Sequence, residues 1–534
     1  MALIFLLALY LRLAGSPDQS VLPDEIYHVL AGRSFLTGGN FDILDGSYVR
    51  GGLYTMLVSA SFWLTGQHDI VSARLPAIIL GALACPILLA WLWHESGRLS
   101  GIFAGGLLAV MDGPVKVSHF ARFYTMQTLL ILLAVILVHG AMKVCGSNRY
   151  HRLGVALVLL LIAQQAQKAT IIVILCLGLF VAGITLKERG IRETLSDRRR
   201  LPIIIAGGIS ALVVAGALGA HFIPFLERTS LWAIRLKDDI LFYERMFRND
   251  IPLLWGLTPI AAIIALGFRP RLSFLCLLIF GIGFAVLSTG GMKSQRYLIY
   301  ALPYLIAIWA MAVQAVAPAI VAYTRSTIAM LADRSGIRWG EPVRDALLIS
   351  VLLAVFASAM MANRAVLKPL KHGVKKVPDL VSKPGRLFNP PLDLPWTGRS
   401  AALMAAIGHP SVFVTADDLR AILYLRPHDL LINSSRMSDI DPSAEFVHDP
   451  RTGRPVISKP ESIAQVIACY PDGVILIPND RWGEFYAVDA VTARRIQMLA
   501  QPIVPGVPGF HLFHWAHDAD KSACARIGRA MAAG

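Results

Sequence analysis

The residues best placed to do chemistry lie in Leu22-Pro23-Asp24-Glu25-Ile26-Tyr27-His28. Two adjacent carboxylates just past the first apolar segment suit two tasks. One, Asp24, can take a proton from an attacking hydroxyl, and Asp24 with Glu25 can help hold a divalent cation. A plainer use exists: Asp24 after Pro23 can cap a helix running through Ile26, Leu30 and Phe35. The two are compatible, since a cap also fixes the acid in place. Glu25 points elsewhere on a regular backbone and can orient the loop, assist a cation or pair with an arginine. Tyr27 and His28 are candidates to line a substrate pocket.

Three further groups stand at the ends of apolar blocks. Ser118-His119-Phe120-Ala121-Arg122-Phe123-Tyr124 follows Asp112-Gly113-Pro114; Lys168 ends the turn Gln164-Gln165-Ala166-Gln167-Lys168; Lys293-Ser294-Gln295-Arg296-Tyr297, preceded by Met292, opens a later block. Arg122, Lys168, Lys293 and Arg296 can neutralise a departing phosphate, with Asp112, His119, Tyr124 and Tyr297 as pocket candidates beside them. Singly, each reads as an interfacial anchor, because Lys and Arg snorkel and Tyr sits at the headgroup level. Several such groups on one face, beside a carboxylate pair, point to a site combining a base with positive charge.

The elements that must position them are membrane spans. Of 534 residues, 55% are hydrophobic and 16% charged, with a mean hydropathy of +0.59. Soluble domains carry about 25% charged residues, so this composition excludes a disordered chain and argues against a soluble enzyme. Apolar blocks long enough to cross a bilayer place spans at about 1–15, 70–93, 101–117, 125–144, 153–167, 169–186, 202–221, 251–268, 274–289, 297–322 and 346–362, about eleven in all. Gly51–Gly66 is apolar but short, with Tyr54 and Trp63 near its ends, and reads as a helix lying in the interface. Met1–Gly15 is a short first span or a signal peptide ending near Ala14-Gly15-Ser16, and a start placed too far downstream is a third reading; in each, the segment after Pro17 lies outside the cytoplasm.

The net charge is +15. Its excess sits mostly in loops between apolar blocks, which indicates topology and anionic-lipid contact before nucleic-acid binding. Basic loops around Lys143–Arg152, Lys187–Arg200, Arg269–Arg271 and Arg325–Arg344 fall on one side, expected to be cytoplasmic. The opposite side carries many cations too, among them Arg12, Arg74, Lys116, Arg228, Arg235 and Lys237, and an anionic ligand at the outer face would explain them.

The expected domain map is a transmembrane catalytic domain at 1–362 with its first outer loop at about 16–69, a Pro/Lys-rich linker at 363–397, and an extracytoplasmic α/β domain at 398–534. In the last, Val412–Val414, Leu430–Ile432, Val474–Ile477 and Phe510–Trp515 read as strands, and Asp417–Arg426, Glu461–Cys469 and Trp482–Ala500 as helices, giving a small, largely parallel sheet. Cys85, Cys145, Cys176 and Cys276 lie in or beside apolar blocks and act as small hydrophobes. Cys469 and Cys524 can pair in an oxidising compartment, although no spacing requires it. His511, His514 and His517 do not share one strand face, which argues against zinc.

At this point the sequence resembles the GT-C membrane glycosyltransferases, and within them the protein O-mannosyltransferase-like group, which includes the bacterial enzyme adding aminoarabinose to lipid A. The resemblance rests on Leu11-Arg12 ending the first span, Asp24-Glu25 in the first outer loop, Gly51–Gly66, Ala73-Arg74-Leu75-Pro76, Pro114…Ala121-Arg122-Phe123-Tyr124 and Lys293…Arg296-Tyr297…Pro303. It covers about residues 1–320. It implies a sugar donor carried on polyprenyl phosphate, transfer at the outer face with inversion, and the acid of the first outer loop as catalytic residue. Many relatives carry a second Asp where Arg122-Phe123-Tyr124 stands, and Ala169 follows Lys168 in place of a glycine. The resemblance therefore brings no two-carboxylate metal site to that loop.

The expectation is thus a polytopic α-helical protein of the inner membrane with a C-terminal soluble α/β domain, acting as a polyprenyl-phosphate-sugar glycosyltransferase. The acceptor is a hydroxyl of a lipid, a glycan or a protein. A divalent cation is the only cofactor considered, membrane lipids are partners, and nucleic acid is not. The alternatives are a transporter or flippase of a lipid-linked sugar, which would favour midplane charges and repeated halves, and a non-catalytic lipid-sugar-binding scaffold.

Overall fold

The computed structural model describes all residues except 145, 190–200, 220–238, 291–292, 336–340, 383–392, 394, 434–445, 458, 485–486 and 534. Arg192, Arg198–Arg200, Arg228, Arg235, Lys237, Met292, Arg338 and Cys145 therefore lie outside the described residues. The chain forms two compact units, one of residues 1–16 and 76–388, the other of residues 17–75 and 389–534.

The first unit is helical. Among the described residues of the whole chain, five helices are long and apolar enough to cross a membrane: Ile70–Glu95, Tyr124–Ala141, Thr170–Glu188, Pro270–Thr289 and Gln295–Leu331. Two bent pairs bring the number to seven among the described residues: Arg98–Val110 with Asp112–Ser118, bent by 54°, and Phe242–Asp250 with Pro252–Phe268, bent by 109°. About eleven were expected, and the other expected segments also coincide with helices, including Ala2–Gly15, Ser147–Ala166, Leu201–Gly219 and Glu341–Met361.

The two bends have local causes. Ile251 precedes Pro252, and a residue before proline is pushed out of the helical region. At the other, Met111 is extended, which strands the last carbonyls of the preceding helix. Arg12, buried on Ala2–Gly15, supplies donors: its guanidinium donates to the carbonyls of Ala109 (3.3 Å) and Leu108 (3.4 Å), and its Nε donates to Ser118 Oγ at 3.0 Å. The arginine that interrupts the first apolar run thus fixes a break in another helix.

Where a linker was expected from residue 363, Arg364–Ser382 is a helix containing Pro369 and Pro378. A proline costs a helix one donor each time, and here packing compensates. Tyr10 donates its hydroxyl to Gly373 O at 2.7 Å, and His372 Nε2 lies 3.3 Å from Ala14 O, tying this helix to Ala2–Gly15.

The second unit joins the first outer loop to the C-terminal region. The loop holds the helix Pro23–Gly38, a small hairpin of β1 (Asp42–Ile43) and β2 (Gly46–Ser47), and the helix Gly52–Thr65. The C-terminal part holds β3 (Val412–Thr415), β4 (Leu430–Ile432), β5 (Phe446–His448), β6 (Pro455–Ile457), β7 (Asp472–Pro478), the short pair β8 (Trp482–Gly483) and β9 (Val488–Asp489), β10 (Gln501–Pro502) and β11 (Phe510–Ala516). The main sheet runs β10-β11-β7-β3-β4-β6-β5, parallel from β7 to β6 and antiparallel at both edges. Its middle strands are buried apolar runs, as a sheet covered on both faces requires. The expected helix 482–500 begins only at Ala490: Gly483 adopts φ +78°, and Asp489 caps the helix by accepting from the Val491 and Thr492 amides.

Within this unit the first outer loop packs against the turn between β5 and β6. Asp45 N–H donates to Thr452 O at 3.1 Å, and Arg454 pairs with Asp45 at 3.1 Å. Gly46 and Gly453 let the two backbones meet: a Cβ on Gly46 would lie 2.5 Å from Gly453 N, and Gly453 itself needs φ +69°. Cys469 and Cys524 form a disulfide with Cα atoms 4.7 Å apart, joining the helices Pro460–Cys469 and Lys521–Ala533.

Candidate functional site

In the second unit the helix Pro23–Gly38 opens with Leu22 as cap residue and Pro23 in the first turn. Asp24 is therefore not the cap, contrary to the capping expectation. Glu25 does that work, its Oε1 accepting from Leu22 N–H at 3.0 Å. Glu25 is also fully buried against an equally buried Arg74, with Nε–Oε2 at 2.8 Å and Nη2–Oε1 at 3.0 Å. Of the roles open to Glu25, pairing with an arginine is the one observed.

Asp24 is half-buried in the first turn of this helix. The strand of chain before it is gripped by two arginines. Arg74 donates to Gln19 O (3.1 Å) and Ser20 O (3.2 Å), and Arg420 donates to Val21 O (3.0 Å). Three successive carbonyls are thus fixed just ahead of the acid.

Arg420 is in turn held by Asp393 at 2.8 Å and Asp417 at 2.9 Å. Burial pushes both carboxyls above the usual range, while the two carboxylates push the guanidinium up. Sequence reasoning missed Arg420, Asp393 and Asp417 as supports, and no local signal could reveal them: Arg420 and Val21 are 399 positions apart. Arg74 was visible as part of Ala73-Arg74-Leu75-Pro76, but not as the partner of Glu25.

Tyr27 and His28 are buried side chains in an aromatic cluster. Tyr27 stacks on Tyr48 at 4.7 Å, and His28 meets Tyr48 and Tyr54 edge-on. His28 Nδ1 lies 2.9 Å from Thr55 Oγ1. Arg451 donates to the Tyr27 hydroxyl at 2.8 Å and sits over its ring at 4.9 Å. Arg451 was not anticipated.

The residues at 24–25 do not fit a cation. Both Glu25 oxygens face a guanidinium, so a metal there would share the carboxylate with a second positive charge. Among the described residues no three His, Cys, Asp or Glu side chains are grouped as metal ligands. His511 instead stacks on Trp482 at 4.6 Å, and His517 Nε2 lies 2.7 Å from Ile467 O.

In the helical unit the structure brings four expected residues together. Arg122, 2% exposed, lies over Phe123 (4.7 Å) and Tyr124 (5.9 Å), and Arg296 lies over Tyr124 (5.7 Å) and Tyr297 (5.6 Å). Two guanidiniums thus share the Tyr124 ring, which attracts cations at its face and screens them from each other. Lys293 Nζ donates to Gly290 O at 2.6 Å. His119 is buried against Gly15. Asp112 pairs with Lys116 at 2.6 Å. Lys168 is exposed on its turn, and among the described residues no contact joins it to the arginines.

The sequence matches no protein-family model and no curated protein. Solved structures do match. ArnT from Cupriavidus metallidurans bound to undecaprenyl phosphate aligns with a TM-score of 0.58 at 13% identity, over 96% of this chain and 97% of that one. Its apo form aligns equally well. The archaeal oligosaccharyltransferase AglB from Archaeoglobus fulgidus, in complex with an inhibitory peptide and a dolichol-phosphate, aligns with a TM-score of 0.49 at 12% identity, over 80% of this chain and 64% of that one. Over nearly its whole length, this chain has the fold seen in ArnT.

Proposed function

We propose that the protein is a glycosyltransferase that moves a sugar from a polyprenyl-phosphate donor to a hydroxyl acceptor at the outer face of the inner membrane. The observation that carries this is Asp24 at a helix start, just after three carbonyls fixed by Arg74 and Arg420, in a chain with the fold of a protein crystallised with undecaprenyl phosphate. Asp24 takes the proton of the acceptor hydroxyl. The oxygen attacks the anomeric carbon from the side opposite the phosphate, so the configuration inverts. The carbon–oxygen bond to the phosphate breaks, and the polyprenyl phosphate leaves with its charge met by Arg122 and Arg296.

Further observations support the outer-face placement. The Cys469–Cys524 disulfide belongs in an oxidising compartment. The Gly52–Thr65 helix buries Tyr54, Val58 and Phe62 but turns Leu53, Met56, Trp63 and Leu64 outward, as a helix lying at the membrane interface would. Purified protein incubated with polyprenyl-phosphate sugars and hydroxyl acceptors should release polyprenyl phosphate together with glycosylated acceptor. Donor that is bound or moved across the bilayer without cleavage would sink the reading.

A further inference from the structure

We propose that the outward face of the Arg364–Ser382 helix is a binding site for the phosphate of an anionic membrane lipid, held wholly within the helical unit. A cleft of about 470 Å³ is lined by Arg364, Lys368, Lys371, His372 and Lys375, a size that suits a lipid headgroup. Positions 364, 368, 371 and 375 recur every three or four residues, so their side chains form one stripe.

The opposite face anchors the stripe. Ala365, Val366 and Gly373 are buried, and Gly373 O accepts the Tyr10 hydroxyl. The cations therefore stand on a helix already fixed in place, which lowers the ordering cost of binding. Lys368 lies in the field of Asp250, beside Asp112 and Lys116. Among the described residues no carboxylate stands within ion-pair range of Arg364, Lys371 or Lys375.

Like-charged side chains gathered in one cleft repel each other, and a phosphate relieves that repulsion. A free phosphate would do this equally well. What favours a lipid is a second stripe on the same helix: Val374, Val377 and Val381 are 70%, 43% and 79% exposed. Met361 and Leu367 add apolar lining to the cleft itself. Basic residues beside outward valines suit a helix whose cations meet headgroups while its apolar face enters the acyl boundary.

The inference does not depend on sugar transfer. Native mass spectrometry of the full-length protein in detergent reads it directly, with phosphatidylglycerol, phosphatidylcholine or millimolar inorganic phosphate added. Wild type should retain phosphatidylglycerol over phosphatidylcholine. The triple variant Arg364→Gln, Lys371→Gln, Lys375→Gln should bind it roughly a hundredfold more weakly, at about fivefold per cation. Should that variant express poorly, Lys371→Gln alone should weaken binding about fivefold. Melting temperatures without lipid should match wild type, because these side chains are exposed. Equal retention of the two lipids, unchanged retention by the variants, or displacement by inorganic phosphate alone would each overturn the proposal.

Discussion

Replacing Glu25 by Gln removes one charge from an ion pair with no solvent around it and leaves Arg74 buried without its counter-charge. Breaking such a pair costs about 3–5 kcal/mol, so Glu25→Gln should lower the melting temperature sharply. Asp24→Asn should leave melting unchanged and cut turnover about 10²–10⁴-fold, the usual cost of losing a positioned base. An active Asp24→Asn protein would remove the catalytic assignment. Arg296→Ala should weaken donor use about tenfold or more, since a charge-assisted hydrogen bond contributes ~1.5–3 kcal/mol. Lys293→Ala should be milder, because Lys293 is occupied with the Gly290 carbonyl; equal turnover of both variants and wild type would return Arg296 to an anchor. His428 offers a pH test. It is fully buried, and burial holds its imidazole below the usual histidine range. The unfolded chain therefore takes up a proton that the folded one refuses, and stability falls as pH drops through that range. Melts between pH 7.5 and about 5.5 should show a smaller fall for His428→Gln than for wild type; parallel curves would disprove this. The helix start at Pro23 was legible at this scale because proline followed by two acids is a local signal. The grip of Arg420 on Val21 was not, because it joins residues that only folding brings together.

Helices and strands were legible wherever apolar patterning was continuous. The expected spans coincide with helices, and Val412–Val414 and Leu430–Ile432 with strands. Errors fell where proline or glycine was read without its packing. The Pro369 and Pro378 segment is helical because Tyr10 and His372 fasten it, whereas 482–489 leaves the helix at Gly483. The cysteine pairing needed the fold, since two helices must bring Cys469 and Cys524 together. That bridge closes a loop whose constraint is worth about 4 kcal/mol in the chain-entropy description. Reduction, or Cys524→Ser, should lower the melting temperature of the full protein. Thiol labelling of denatured, unreduced protein should find Cys469 and Cys524 blocked, and free thiols at both would refute the pairing.

For the whole molecule, a cysteine added after Gly534 should react with an impermeant thiol reagent in intact spheroplasts. Protection until lysis would mean that the span count, or the interfacial reading of Gly51–Gly66, is wrong. What sequence could not show at this scale is the composition of the second unit, because residues 17–75 and 389–534 look like a loop and a separate domain. That composition has a consequence for biosynthesis. At roughly 5–20 residues per second, the partner of the first outer loop is made tens of seconds after the loop itself. Through that interval Gly46 has no opposing turn, Val21 has no arginine from the later segment, and Tyr27 has no Arg451. A nascent chain stalled before residue 389 should therefore present the first loop to proteases, and delivery of the last segment should make it resistant.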